Sequence, residues 1–376
     1  MQEKCIVSKI MILSNHFITL YNFRRELIKR LIEEGNEVII SMPNFIENKY
    51  FIEMGCKIYN TDVDRRGINP IKDAYQLIRY LVLIKKINPD IILSYTIKPN
   101  IYGGIASRIT RKKQISNITG TGATFLSDNF INKIAKIMYK FSLKNSYKVL
   151  FQNNGDKDFF ISQKIVKDNY RVIPGSGVNL SDYQLTPLPS IENEINFIFI
   201  GRVMKIKGIE EYLNCALNLK KTYPKANFYI AGFIEESQYS QIINDYHVKG
   251  IVQYIGFQKN IKQWIEKCHC TILPSHGGEG VPNALLESAA MGRICVASNI
   301  HGSREVIDDN KTGFLFEARN ADDLFKKIQM LIELDSSSLA AMGRLAREKM
   351  EQQFDRQIII NTYLNEIDEI KKLMKH

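Results

Sequence analysis

Residues 275–292 read SHGGEGVPNALLESAAMG and hold two glutamates eight positions apart. Glu279 lies among glycines, Glu287 among alanines and leucines. The spacing predicts one carboxylate on a loop and the other on a helix that Pro282 opens, since a first helical residue needs no N–H. Leu285, Ala289 and Gly292 share a face suited to packing on a sheet. At roughly 100° per residue Glu287 falls about 200° from Leu285, beside Asn283, and points away from that face. A helix start offers free amides and the positive end of the dipole to a phosphate. Carboxylates accept paired hydroxyl hydrogen bonds well. A ligand carrying a sugar, two linked phosphates and a ribose in line meets all three groups. Taken alone, the two glutamates also read as a loop charge and a solvated helix charge.

A second pattern adds to the first. Gly201-Arg202-Val203-Met204-Lys205-Ile206-Lys207-Gly208 follows an apolar run and opens a helical one. Arg202 and Lys207 supply charge-assisted bonds to phosphate, each worth roughly 1.5–3 kcal/mol.

These residues need a scaffold that gathers strand ends. KIMILS (9–14), EVIISM (37–42), KIYNTDV (57–63), DIILSYT (90–96), QISNIT (114–119) and YKVLFQN (147–153) read as strands, with helical periodicity over 21–34 and 71–87. The polar, proline-bearing stretch 183–194 interrupts the rhythm. It resumes at 194–201, 226–232, 251–256, 270–275, 294–298 and 313–317, and from 320 onward the pattern is helical. The fold class is α/β: two Rossmann-like, doubly wound parallel-sheet domains facing across a cleft. The expected bounds are a first domain over 1–185, a linker over 186–194, a second domain over 195–355, and a last helix, 356–376, packing back on the first domain. Ligands of such sheets bind at the carboxyl ends of the strands.

Composition narrows the function classes. The chain has 376 residues, 45% hydrophobic and 24% charged, which suits two globular domains. The first residues are not a secretion signal and no run is long enough to span a bilayer, so a cytoplasmic location is expected. Cys5, Cys56, Cys215, Cys268, Cys270 and Cys295 have no framework spacing and should be reduced. Cys268-His269-Cys270 lacks two further ligands at finger-like spacing and reads as buried thiols. Gly120-Thr121-Gly122 and Gly175-Ser176-Gly177 lack the last glycine of a dinucleotide fingerprint, and there is no P-loop.

The net charge of +11 is uneven. Residues 1–188 hold 28 Lys and Arg against 16 Asp and Glu, the remainder 23 against 24. Lys133, Lys136, Lys140, Lys144 and Lys148 recur at helical spacing, with Ile134, Met138 and Phe141 on an adjacent face. Such a helix fits an anionic bilayer, or packs one face and solvates the other. Nucleic acid is not expected as a partner, because no aromatics interleave at a module spacing.

EGVPNALLE resembles the E-x7-E motif, and GRVMKIKG the G-R-x4-K-G motif, of the family 4 retaining glycosyltransferases with the GT-B fold. The resemblance covers nearly the whole chain, including GSREVI (302–307) and GFLF (313–316). DRRGINP (64–70), YTIKPNIYGG (95–104), TGTGATF (119–125) and VIPGSGVNL (172–180) are similar to the bacterial branch that builds capsule, exopolysaccharide and lipid-linked oligosaccharides, including N-acetylgalactosaminyltransferases of N-glycosylation pathways.

The resemblance implies roles. Glu279 meets donor-sugar hydroxyls and Glu287 the ribose. Arg202 and Lys207 bind the diphosphate, so Glu279, Arg202 and Lys207 form the catalytic set. Gly278, Gly280, Val281, Asn283 and Ala284 complete the phosphate cradle, and Phe257 and Gln258 stand where the base is held. No metal or other cofactor is implied. Family members often carry a glycine-rich loop after the first strand and a donor-contacting histidine near the fifth. Here those places read Ser14-Asn15-His16-Phe17 and Thr119-Gly120-Thr121-Gly122. Asn15, His16, Thr119, Gly120 and Thr121 are the acceptor-side candidates. The implied partners are a UDP-sugar donor, first UDP-N-acetylgalactosamine, a polyprenyl-diphosphate-linked saccharide acceptor, and the inner face of the plasma membrane, reached through the first domain. The alternatives are a UDP-galactose or UDP-glucose transferase of capsule synthesis, or a GT-B epimerase or phosphorylase.

Overall fold

In the computed structural model of the chain, which describes residues 8–61, 69–121, 130–192 and 194–375, the named strands pair in parallel in two separate sheets. The first sheet is built from β1 (Lys9–Leu13), β2 (Glu37–Met42), β3 (Lys57–Asn60), β4 (Ile91–Tyr95), β5 (Lys113–Ile118), β6 (Lys148–Phe151) and β7 (Tyr170–Val172), in the order β3-β2-β1-β4-β5-β6-β7. The second comprises β8 (Ile195–Ile200), β9 (Ala226–Ala231), β10 (Gln253–Gly256), β11 (Cys270–Leu273), β12 (Ile294–Ser298) and β13 (Gly313–Phe316), in the order β10-β9-β8-β11-β12-β13. Cys5 and much of the stretches 64–70 and 119–125 lie outside the described residues.

Unbroken apolar runs such as INFIFI and ICVAS become central strands, buried along their length because helices cover both faces. β7 escapes the sequence reading because YRV has no such run and lies at a sheet edge. Helix starts have local causes. The Asn69 side chain accepts from the N–H groups of Ile71 and Lys72, and Pro70 begins the helix Pro70–Ile87.

Contacts divide the chain into one unit of Met1–Ser176 with Gln357–His376 and another of Gly177–Arg356. The division falls before the polar stretch expected to be the linker. Buried Arg293 explains why: its guanidinium donates to Thr186 O at 2.9 Å, Thr186 Oγ1 at 2.6 Å and Pro187 O at 3.1 Å. Arg347 Nη1 donates to Tyr183 O at 2.7 Å, and Leu188 and Ile191 pack on the second core. Residues 177–185, expected in the first domain, therefore belong to the second.

The helix Arg356–Lys375 supplies Ile359, Ile360, Tyr363, Ile367 and Ile370 to the core that lies against β1, β2 and β4. Its Tyr363 hydroxyl accepts from Asn117 Nδ2 at 2.7 Å, and buried Glu366 meets Arg171 Nε at 3.0 Å.

Candidate active site

In the second sheet β8 lies between β9 and β11, where strand order reverses and ligands of such sheets bind. β8 runs into the Arg202 loop and β11 into the Glu279 loop, and the two loops are fastened together. His276 N–H donates to Ile206 O at 2.8 Å. Gly208 has φ 74°, and a Cβ there would stand 1.9 Å from Pro274 O. Only glycine permits both, which explains the residue after Lys207. The short 3-10 turn Lys205–Lys207 thereby brings Lys207 Nζ into an ion pair with Glu279 Oε1. Ser275 Oγ donates to the same oxygen at 2.8 Å. Burial pushes the Glu279 carboxyl up, but Lys207, Ser275 and nearby Arg202 outweigh it and hold it below the ordinary carboxylate range.

Arg202 is half exposed, with Nη1 3.5 Å from Glu235 Oε1. Glu235 stands in the turn after β9, whose backbone is tied to the Arg202 loop: Val203 N–H donates to Phe233 O at 2.8 Å and Glu235 N–H to Val203 O at 3.0 Å. In the same turn Phe233 stacks on Phe257, centroids 4.5 Å apart and planes 8° from parallel, with both rings exposed. Gln258 is less available than expected. Its side chain accepts from Trp264 Nε1 at 3.1 Å and donates to Ile255 O, so its amide is committed to the protein.

The helix Asn283–Ala290 begins one residue later than expected, with Pro282 as its extended cap (φ −69°, ψ 118°). Pro282 O receives the amides of Leu285 and Leu286, and the first amides, at Asn283 and Ala284, face the start of the helix. Gly278, at φ 74°, and half-buried Glu279 lead into buried Gly280 and Val281. A Cβ at Gly302 would meet Gly280 O at 1.8 Å, so the GSREVI segment backs this loop.

Glu287 does not behave as a solvated helix charge. It is half-buried, hydrogen-bonded by the Tyr183 side chain and within the field of Arg356. Burial pushes its carboxyl up to about 7 against both of those influences.

Cys56, Cys215, Cys268, Cys270 and Cys295 are free, buried thiols, and Asn196 N–H donates to His269 Nδ1 at 3.0 Å. Among the described residues, no three His, Cys, Asp or Glu side chains converge as metal ligands.

The acceptor-side candidates sit at strand ends of the first sheet. His16 caps the helix Phe17–Glu33, its Nδ1 accepting from Ile18 N–H at 3.1 Å, and its ring lies 4.7 Å from that of Phe45. Asn15 Oδ1 is buried without a hydrogen-bond partner among the described residues. Thr119, Gly120 and Thr121 follow β5; Thr119 is exposed, and buried Thr121 bonds Asp156. Burial pushes the Asp156 carboxyl up to about 6. The structure thus gathers the second-unit residues around the ends of β8, β10 and β11, and the first-unit ones after β1 and β5.

Sequence reasoning missed Phe233, Glu235, Tyr183, Arg356 and Asp156. The end of the strand read at 226–232 could have pointed to Phe233 and Glu235. Nothing local marks Tyr183 or Arg356, which reach Glu287 from distant parts of the chain.

Known proteins match in the same pattern. The family described as glycosyl transferases group 1 matches residues 185–349, and glycosyl transferase 4-like matches residues 9–153. The N,N'-diacetylbacillosaminyl-diphospho-undecaprenol alpha-1,3-N-acetylgalactosaminyltransferase of Campylobacter jejuni is 26% identical over 97% of this chain and 99% of its own. The UDP-Gal:alpha-D-GlcNAc-diphosphoundecaprenol alpha-1,3-galactosyltransferase of Escherichia coli is 25% identical over 82% of this chain and 81% of its own. Anabaena HepE, solved with UDP and glucose, superposes with a TM-score of 0.78 at 16% identity, covering 96% of this chain and 99% of that one. A Rickettsia africae glycosyltransferase superposes with a TM-score of 0.79 at 21% identity, over 96% and 98% of the two chains. With two parallel-sheet units, paired motifs at the strand ends of the second, and a glycosyl transferase model matching within each, the chain is a glycosyltransferase of the GT-B fold, its first half similar to the 4-like family and its second half to group 1.

Proposed function

We propose that this enzyme moves N-acetylgalactosamine from its UDP derivative to a polyprenyl-diphosphate-linked saccharide, with retention of configuration. The observation that carries the reading is the cluster of Lys207, Glu279 and Arg202 at the reversal of the second sheet, with Glu287 about one turn into the helix Asn283–Ala290 that follows. The diphosphate lies against Arg202, Lys207 and the first amides of the helix Asn283–Ala290. Glu279 receives sugar hydroxyls, Glu287 the ribose, and Phe257 stands beside the base. As the bond from C1 to the phosphate oxygen breaks, its electron pair stays on the phosphate, where the two cations and the helix start stabilise it. The acceptor hydroxyl attacks C1 from the same face and its proton passes to the departing phosphate. The cations supply the charge that a divalent metal would otherwise supply, so turnover in excess EDTA stays within about twofold of the untreated rate, a small change against the losses expected for the site cations.

The Campylobacter relative supports the N-acetylgalactosamine and polyprenol assignments, and the Escherichia coli relative favours galactose as the second reading. UDP release with a panel of UDP-hexoses and UDP-N-acetylhexosamines, against polyprenyl-diphosphate acceptors, decides between them. Absence of turnover with every UDP-sugar sinks both.

We place the work at the inner face of the plasma membrane, with the first unit as the docking side. No described helix is long and apolar enough to cross a bilayer. The lysine stripe is shorter than its spacing suggested: the helix Phe130–Leu143 ends before Lys144, and Lys148 begins β6 and meets Glu366 at 3.7 Å. Neighbouring helices extend the surface. The helices Pro70–Ile87, Gly104–Ile109 and Phe130–Leu143 carry four, one and three Lys or Arg respectively, against Asp73 alone. Ile71, Tyr75, Ile78 and Val82 form an exposed stripe on the first, and Ile134, Ile137 and Phe141 are exposed on the last. Apolar side chains among cations suit an anionic lipid surface.

A further inference from the structure

Glu287, assigned above to the ribose, is itself held. The Tyr183 side chain hydrogen-bonds its carboxylate, and the Arg356 guanidinium acts on the same charge. Arg347 Nη1 donates both to Tyr183 O at 2.7 Å and to Ala290 O at 2.8 Å, so one guanidinium clasps Tyr183 to the last residue of the helix bearing Glu287. Tyr183 N–H donates to Asn179 O at 2.9 Å. Arg356 is buried, its Nη2 donating to Gly177 O at 3.0 Å and its N–H to Val178 O at 3.0 Å. An ionised carboxylate offers about four acceptor positions. A phenol takes one, which leaves enough for the two hydroxyls of a ribose.

We propose that Tyr183, with Arg356 behind it, is a positioning residue that fixes the Glu287 carboxylate toward the 2′ and 3′ hydroxyls of a bound nucleoside diphosphate. It thereby sets a preference for ribonucleotides over deoxyribonucleotides. The inference rests on the donor reading given above.

Calorimetric titration of the full chain with UDP and with 2′-deoxyuridine diphosphate tests it. The wild type binds UDP more tightly, and Tyr183→Phe cuts that preference about tenfold, the effect of one hydrogen bond to a charged group. Arg356→Lys keeps the preference and Arg356→Gln lowers it, in variants that retain a cooperative melt. A purely structural role for Tyr183 weakens both ligands equally and leaves the ratio unchanged; that result overturns the inference. Glu287→Gln separates the two levels. If it too leaves the ratio untouched, the ribose assignment itself is wrong. If it collapses the ratio while Tyr183→Phe does not, the positioning role alone falls.

Discussion

Two sets of cations, one in each unit, are handled in opposite ways. In the second, Arg202 and Lys207 each stand opposite a carboxylate, Glu235 and Glu279, on loops pinned to one another by Gly208 and His276. In the first, Lys133 and Lys140 are exposed and have no carboxylate partner among the described residues. Paired cations are fixed in place and bind by exchanging one anion for another, which favours a ligand of defined shape. Cations spread over a surface attract any anionic plane, with little demand on geometry.

The sharpest way to break this contrast is to remove a paired cation. Arg202→Ala or Lys207→Ala should lower turnover by roughly 10²-fold or more, the usual loss for one stabiliser of developing charge. UDP release measures it, and near-normal turnover in a folded variant removes these residues from the chemistry.

The next test uses the two glutamates, whose environments predict stability effects of opposite sign. The Glu287 carboxyl is raised from 4.5 to about 7. Between those values the unfolded chain ionises while the folded one keeps its proton, so the fold loses stability as pH rises. Glu287→Gln removes that cost and should stabilise the protein at pH 8 by about 2 kcal/mol, with no difference below pH 4.5. Glu279 is lowered, so its pairing stabilises the fold above 4.5, and the benefit disappears as pH falls through its folded value. Glu279→Gln should destabilise at pH 8 by about 1–2 kcal/mol and converge on the wild type in acid. Melts at the two pH values read both, and shifts of the same sign at pH 8 contradict the contrast.

The smallest effect belongs to the dispersed charges. Lys133→Ala and Lys140→Ala should each weaken binding to phosphatidylserine-rich vesicles about fivefold at low salt, near 1 kcal/mol per charge. Wild-type partitioning that is indifferent to salt would leave the basic surface without a membrane role.

Central strands were legible because burial on both faces demands unbroken apolar runs, as in 195–200 and 294–298. The loops bearing Arg202, Lys207 and Glu279 were legible because their glycines answer to close backbone approaches. What escaped was long-range. Glu287 looked solvated because helical geometry says which face leaves the sheet, not what covers that face; Tyr183 and Arg356 do so from far along the chain. The lysine stripe was overread for a related reason. A four-residue spacing continues through Lys144 to Lys148, but Ser146 N–H closes on Leu143 O at 3.1 Å and the chain turns into β6. Likewise, prolines and polar residues at 183–194 suggested a tether, whereas Arg293 and Arg347 bind that stretch to the second unit.

Val178 pairs beside Asp355, so the second unit begins and ends at one spot, like an insert spliced into the first. At synthesis rates of about 5–20 residues per second, the ribosome spends roughly ten to forty seconds between releasing β7 and releasing the helix Arg356–Lys375. Throughout that interval the older half of the nascent protein lacks Tyr363 and its isoleucine neighbours, so that side of its core stays uncovered. The part made first is therefore the part finished last.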